Sequence, residues 1–261
     1  MPALPHADPG RGVFETMLVI AGRAVELDAH IERLSTSVEA LYDRALPRQA
    51  RAMVRERAAG VEHGKLRLTV VPIADLALEV AAAEVDIGVV FPGANRGATL
   101  RSTVVTGGLG EHKWADRDLL DRAAASAPGE LPLLLDADGA VLEASRASVF
   151  VVAGERLLTP PTDGRILPSI ARQQVIEVAS AAGIETSEER LTLADLQGRE
   201  VFLTGSVRGV EPAVGLDGSE LLPPGELSGR IAAGLRHRWR VPAAEPVAAV
   251  AGELRGDPPG R

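Results

Sequence analysis

Thr106–Leu120 reads TGGLGEHKWADRDLL and carries one of only two lysines in a 261-residue chain whose other 26 basic side chains are arginine. Lysine differs from arginine in one respect that matters for chemistry. Its ammonium can lose a proton when desolvated and the resulting amine can attack a carbonyl carbon, whereas a guanidinium stays charged. Lys113 follows three glycines (Gly107, Gly108, Gly110) and precedes the bulky Trp114, which makes it a candidate Schiff-base residue. The competing reading is a surface or salt-bridged lysine. Lys65, beside a glycine at the start of an apolar stretch, reads as an ordinary strand-edge lysine.

Outward from this loop, the chain is ordinary for a water-exposed globular fold: 46% hydrophobic, 25% charged, with a net charge of −8. The acidic balance argues against a nucleic-acid or anionic-membrane partner. The absence of cysteine excludes disulfides, thiolate metal sites and a cysteine nucleophile, and no metal site is expected. No leader-like layout opens the chain and no apolar run suits a bilayer span, so the expected location is cytoplasmic.

GVFETMLVIAGRAVEL predicts two strands around a turn at Ala21–Arg23. The next segment, LDAHIERLSTSVEALYDRA, predicts a helix with Asp28 as its N-cap and Ile31, Leu34, Val38, Leu41 and Tyr42 on one apolar stripe. An arginine-rich helix over about 47–59 and two strands pairing back onto the hairpin complete an α+β unit. Phe91–Thr99, rich in Pro, Gly and Asn, reads as a linker. Beyond it a strand, the lysine loop, a short helix at about 116–125, successive hairpins, a helix ended by Gly183, further short elements and a last amphipathic helix follow. The expected division is a small α+β domain over 1–95, a larger domain over 96–245 and a loose tail over 246–261.

Three further stretches carry candidate chemistry. In VLEASRASVFVV, Glu143 lies among apolar strand residues, where a carboxylate is costly without a cationic partner. That partner is either nearby Arg146 or a protonated ring nitrogen of a cofactor. In RILPSIARQQVIEVA, a helix starts just after Ser169, leaving the amides of Ile170 and Ala171 free for an anion. In FLTGSVRGVEP, Thr204, Gly205 and Ser206 end an apolar strand with small donors. A reactive amine, two anion cradles and an acid for a pyridinium nitrogen together match what pyridoxal phosphate asks of its protein.

The order and wording of these stretches resemble the class IV aminotransferase family, the fold-type IV pyridoxal-phosphate enzymes, from about Gly12 to Val214. The motifs are GVFET, LDAHIERL, HKWADR, LEASRASVF, ILPSIAR and LTGSVRGVEP. The resemblance implies an α+β fold of a small α/β domain and a larger pseudo-barrel domain. It implies that Lys113 carries pyridoxal 5'-phosphate and shuttles protons, that Arg33 binds its phosphate, and that Glu143 contacts its pyridine nitrogen. Ile170, Ala171, Ser206 and Val207 would form the two phosphate turns. It also implies a homodimer. Three departures stand out: Ser169-Ile170-Ala171 replaces the usual Gly-Ile-Thr, Ser148 replaces an asparagine, and Gly10-Arg11 replaces a Gly-Asp.

Within the family, the loop wording is most similar to 4-amino-4-deoxychorismate lyase, which releases pyruvate and 4-aminobenzoate in folate synthesis and is found alone or fused to the synthase component of the same pathway. An aminotransferase acting on branched-chain, D-amino acid or amine substrates is the alternative, and a catalytically silent relative the third reading. Arg67 and Arg208 are candidates for the substrate carboxylates, since guanidinium presents a planar fork to them.

Overall fold

Alternation along GVFETMLVI sets the layering of the molecule. In the computed structural model, which describes residues 6–73 and 75–242, this stretch forms β1 (Val13–Ile20), buried on both faces. Val13, Met17 and Val19 enter one apolar cluster, while Leu18 and Ile20 enter another. Successive strand side chains point to opposite faces, so a single strand joins two cores.

After β1 come β2 (Arg23–Ala24), α1 (Leu27–Tyr42), α2 (Ala50–Ala59), β3 (His63–Pro72) and β4 (Leu76–Glu84). The four strands form an antiparallel sheet in the order β2-β1-β3-β4. The two helices cover one face through Leu34, Val38, Ala50, Val54 and Ala58. The predicted stripe on α1 is largely realised, with Ile31, Leu41 and Tyr42 packed at its margin. Its predicted cap is not: α1 is preceded by Glu26 in a left-handed conformation (φ 54°) with no side-chain cap bond, and Asp28 sits inside the first turn. There it still favours the positive end of the helix dipole.

The rest of the chain supplies β5 (Ala98–Val104), α3 (Asp118–Ser126), β6 (Leu131–Leu135), β7 (Val141–Ala144), β8 (Ser148–Ala153) and β9 (Arg156–Thr159). There follow α4 (Ile170–Ala181), β10 (Thr186–Glu188), α5 (Leu193–Leu196), β11 (Val201–Gly205), β12 (Gly209–Leu216), β13 (Ser219–Glu220) and α6 (Glu226–Trp239). The strands make a nine-stranded sheet ordered β10-β9-β8-β11-β12-β5-β6-β7, with β13 on β12. Two of the predicted hairpins are present, β6/β7 and β8/β9. Between them β7 and β8 meet only through an Ala144–Ala147 bridge, because β8 pairs instead with β11. That register places Phe150 against Phe202, their rings stacked at 5.1 Å and 5°, each fully buried ring contributing about 1.5–3 kcal/mol. Helices α4 and α6 cover them with Val175, Ala179, Ile231 and Leu235. Among the described residues no helix is long and apolar enough to cross a membrane. The tail expected over 246–261 lies outside the described residues.

Between the sheets runs the lysine loop, and two glycines fix its path. Gly12 (φ 94°) brings β1 so close to β3 that a Cβ would lie 2.1 Å from the Val70 carbonyl oxygen, and Gly108 (φ 70°) would put one 2.0 Å from that of Arg165. Only glycine accepts that backbone and that approach. The loop then zips onto β1: Phe14 N–H donates to Lys113 O (2.9 Å) and Ala115 N–H to Gly12 O (2.9 Å), around a Val13–Trp114 bridge. Trp114 enters the core of the small sheet and donates its indole N–H to Leu109 O at 2.8 Å.

Candidate active site

Because neighbouring side chains alternate, burying Trp114 turns Lys113 the other way, toward the cleft between the sheets. Its Nζ lies 5.0 Å from the Phe14 ring centroid. It lines a slot with Arg33, Glu143, Ser148, Ser169 and Ser206. Among the described residues no carboxylate lies within ion-pair distance of it and the residue is half-buried, so neither the salt-bridged nor the open-surface reading of Lys113 holds. Burial lowers its pKa to about 8, helped by the charges of Arg33 and Arg117 and opposed by Glu15 and Glu143. At pH 7 about a tenth of such amines are neutral, against roughly one in three thousand at the ordinary value of 10.5.

Glu143 faces it from β7, 9% exposed. Burial raises its carboxyl to about 7, against the pull of Lys113, a bond from the Leu167 N–H and the charges of Arg117 and Arg33. Of the two partners considered for it, Arg146 is taken elsewhere. That guanidinium makes a two-pronged pair with buried Glu211 on β12, at 2.7 and 3.0 Å. Glu143 is left with no cation at ion-pair distance among the described residues.

Arg33 is held by a network that the sequence reading did not foresee. Glu15 on β1, 1% exposed, accepts from Arg33 Nε (2.8 Å) and Nη2 (2.7 Å) and pairs with His30 Nδ1 at 2.6 Å. Burial alone would raise the Glu15 pKa, yet the charge of Arg33 and the His30 hydrogen bond bring it down to about 2. Burial lowers the pKa of His30, against the opposing pull of Glu15. The remaining Arg33 nitrogen, Nη1, donates to Pro168 O at 2.9 Å, just before α4. The sequence signal for this network was present: a carboxylate in an apolar strand, as at Glu143, and His30 and Arg33 three apart on one helix face.

At the start of α4, the Ser169 hydroxyl accepts from Arg172 N–H at 3.2 Å, and no acceptor among the described residues takes the Ile170 or Ala171 amides. The side chains of these two residues are not in the slot. Ala171 is in the core and Ile170 lines an outer cleft beside Pro168. The slot is reached by Ser169 instead. Ser206 and Val207 lie in the turn between β11 and β12, their amides likewise without an acceptor among the described residues, and Ser206 borders the slot. Ser148 adds a buried hydroxyl to the wall, with fully buried Thr204 paired to it across β8 and β11, and among the described residues neither Ser148 Oγ nor Thr204 Oγ1 has a hydrogen-bond partner. Orphaned buried donors of this kind call for a polar occupant.

The slot itself is narrow, about 60 Å³, and opens past Lys113, Arg117, Arg146 and Ser206 into a cleft of about 500 Å³. Phe14, Thr16, Lys65, Arg67, Asp121 and Arg208 complete that cleft. Arg67 stacks on Phe14 with its guanidinium carbon 3.6 Å from the ring centroid. Arg208 is partly tied to Glu211 at 3.3 Å. The donor set fits pyridoxal phosphate: a lowered amine free of an ion pair, an uncompensated carboxyl, one arginine, free amides on two turns and the unpartnered Ser148 hydroxyl.

Comparison with known proteins points to the same class of cofactor. A family model described as amino-transferase class IV matches residues 12–89 and 108–215. A bifunctional aminodeoxychorismate lyase / D-amino acid transaminase of Mycobacterium tuberculosis is 31% identical over 261 aligned positions, covering 85% of this chain and 88% of that protein. Branched-chain-amino-acid aminotransferase 1 of Arabidopsis thaliana mitochondria is 40% identical over 81 residues, but this spans 30% of this chain and 21% of the plant protein. Among solved structures, a hypothetical aminotransferase from Mycobacterium tuberculosis in its PLP-bound form superposes with a TM-score of 0.76 at 25% identity, over 92% of this chain and 95% of that one.

Proposed function

We propose, from the premise that the chain belongs to the amino-transferase class IV family and is a pyridoxal-phosphate enzyme, that it acts as a 4-amino-4-deoxychorismate lyase. The observation that carries this reading is the juxtaposition of Lys113 and Glu143 in a slot that opens onto a cleft lined by Lys65, Arg67, Arg117, Arg146 and Arg208. A substrate with two carboxylates suits that excess of cations. The relative that aligns along most of the chain bears the lyase name as well as a transaminase one.

When bound, pyridoxal phosphate supplies a carbonyl that captures an amine and a ring that accepts an electron pair from the neighbouring carbon. Lys113 would hold it through Nζ. Arg33 and the amides of Ile170, Ala171, Ser206 and Val207 would hold its phosphate, with the dipole of α4 adding to the attraction. Glu143 would hold a proton at the pyridine nitrogen. A carboxylate beside a ring cation is stabilised by that charge, so Glu143 then ionises more readily than its value of about 7 implies.

In turnover, Lys113 Nζ takes the proton from the amine-bearing ring carbon of the substrate, working as general base near its own pKa. The C–O bond to the enolpyruvyl group breaks, the six-membered ring becomes aromatic, and the released enol takes up a proton to become pyruvate. Atoms balance without a second substrate. A transaminase reading has one specific support, the second half of the relative's name. It differs in requiring a 2-oxo acid.

The test is pyruvate release from 4-amino-4-deoxychorismate by the cofactor-loaded protein, followed with a coupled lactate dehydrogenase. Release without any 2-oxo acid supports the lyase. Turnover only with a 2-oxo acid transfers the assignment to the aminotransferase, and no turnover under either condition removes both.

A further inference from the structure

Five cationic side chains besides Lys113 line the wide cleft, but they are not equivalent. Arg146 and Arg208 both draw on Glu211, at 2.7 and 3.3 Å. Lys65 and Arg67 project from alternate positions on β3, and Arg67 sits over the Phe14 ring. Arg117 stands at the foot of α3, four residues beyond Lys113, and lines both the narrow slot and the wide cleft. The only hydrogen bond its guanidinium makes among the described residues runs from Nη2 to Ser145 O, at 2.7 Å. Neither Arg67 nor Arg117 has a carboxylate within ion-pair distance among the described residues.

The geometry points to Arg67 and Arg117 as a two-armed clamp that selects dianionic over monoanionic substrates beside Lys113. The inference rests on Lys113 being the reacting amine.

Burial lowers the pKa of both arginines, and the positive charge of Arg67 adds to the lowering at Arg117. Asp121 opposes this from within the cleft, at more than ion-pair distance. Two guanidiniums facing one cleft repel each other, and the cost of lacking a partner falls mainly on half-buried Arg117, since Arg67 is exposed at the cleft mouth. A monocarboxylate satisfies one fork and offsets only part of the combined positive charge. A dicarboxylate satisfies both, each as a charge-assisted planar pair. Arginine suits this task better than lysine because its fork fixes orientation as well as charge. Arg208, a candidate from the sequence, is the weaker choice, because Glu211 already occupies part of its fork. Arg117 was missed because nothing in HKWADRDLL distinguishes it from any other surface arginine.

Glutarate and butyrate test the clamp, since neither carries an amine or a 2-oxo group and neither can react. Calorimetry on the cofactor-loaded protein should show glutarate binding about tenfold or more tightly than butyrate. Arg117→Gln and Arg67→Gln should each weaken glutarate by about tenfold or more while changing butyrate little, and the double variant should lose the preference. Arg117→Lys should recover part of it. Retention of the cofactor's absorbance and of the melting temperature shows that each variant is folded, and Arg67, exposed at the cleft mouth, keeps the test valid if Arg117→Gln fails to fold. Glutarate binding that ignores both substitutions, or a wild-type protein without preference for glutarate, overturns the clamp. Glutarate binding through both arginines in a protein that releases no pyruvate leaves the clamp standing and removes the lyase.

Discussion

Replacing Glu15 with glutamine removes the one carboxylate that holds both Arg33 and His30. Glu15 is 1% exposed, and its carboxyl is nonetheless held down to about 2 from an ordinary 4.5. That difference corresponds to roughly 3 kcal/mol of preference for the ionised form in the folded protein, in the range expected for breaking a buried ion pair by deleting one partner. Because the folded value lies below the unfolded one, this contribution is complete above about pH 4.5 and is lost as the pH falls toward 2. His30 adds a slope of the same sign. Its lowered pKa means that the unfolded chain binds its proton first, so stability also declines as the pH drops below about 6.5. Urea denaturation of the cofactor-free protein at pH 7 should show Glu15→Gln about 3 kcal/mol less stable, a fall in melting temperature of about 6–12 °C, with the wild-type loss between pH 4.5 and 3 largely abolished. Cofactor affinity should fall too, since Arg33 loses the two bonds that aim it at Pro168. A variant within 1 kcal/mol of wild type, with the acid slope intact, refutes the reasoning.

Glu143→Gln should separate stability from function. The folded carboxyl titrates near 7 rather than 4.5, so keeping it ionised destabilises the cofactor-free protein increasingly as the pH rises through that window. At pH 8 the glutamine variant is expected to be more stable by on the order of 1–3 kcal/mol, yet to turn over at least a hundredfold more slowly when loaded. Chemical denaturation paired with steady-state assay checks both halves. Gly108→Ala should destabilise by more than about 2 kcal/mol, since it combines a positive φ with a Cβ 2.0 Å from backbone; thermal melting reads it directly, and a loss below 0.5 kcal/mol counts against the packing of the lysine loop. Ser169→Ala should cost about 1 kcal/mol through the lost cap on Arg172 N–H, visible in the same melts.

Much of the fold was legible because local patterns and tertiary contacts agree. The alternation in Val13–Ile20 and the helical stripe on Leu27–Tyr42 each bury the faces they imply. β12 was not legible as a strand, since GVEPAVGL combines a glutamate, a proline and two glycines and reads as a turn. Its parallel pairing with β5 joins residues more than a hundred positions apart, and no local period encodes that. Lys113 and Glu143 stood out because each breaks the character of its surroundings. Arg33 could be placed only by likeness to a family. Its real holder, Glu15, was readable by the same rule that marked Glu143, whereas the partnership of Arg146 with Glu211 depends on a register that sequence does not disclose. Arg117 stayed hidden for the opposite reason, being one more arginine in a chain full of them.

Covalent attachment at Lys113 underlies every role assigned above, and mass spectrometry can read it. Borohydride treatment of the cofactor-loaded protein followed by proteolysis should leave a phosphopyridoxyl group on the peptide containing Lys113 and none on the peptide containing Lys65, with Lys113→Arg unlabelled and colourless. A label on Lys65, or an unlabelled wild-type protein that nonetheless holds the cofactor, contradicts the account.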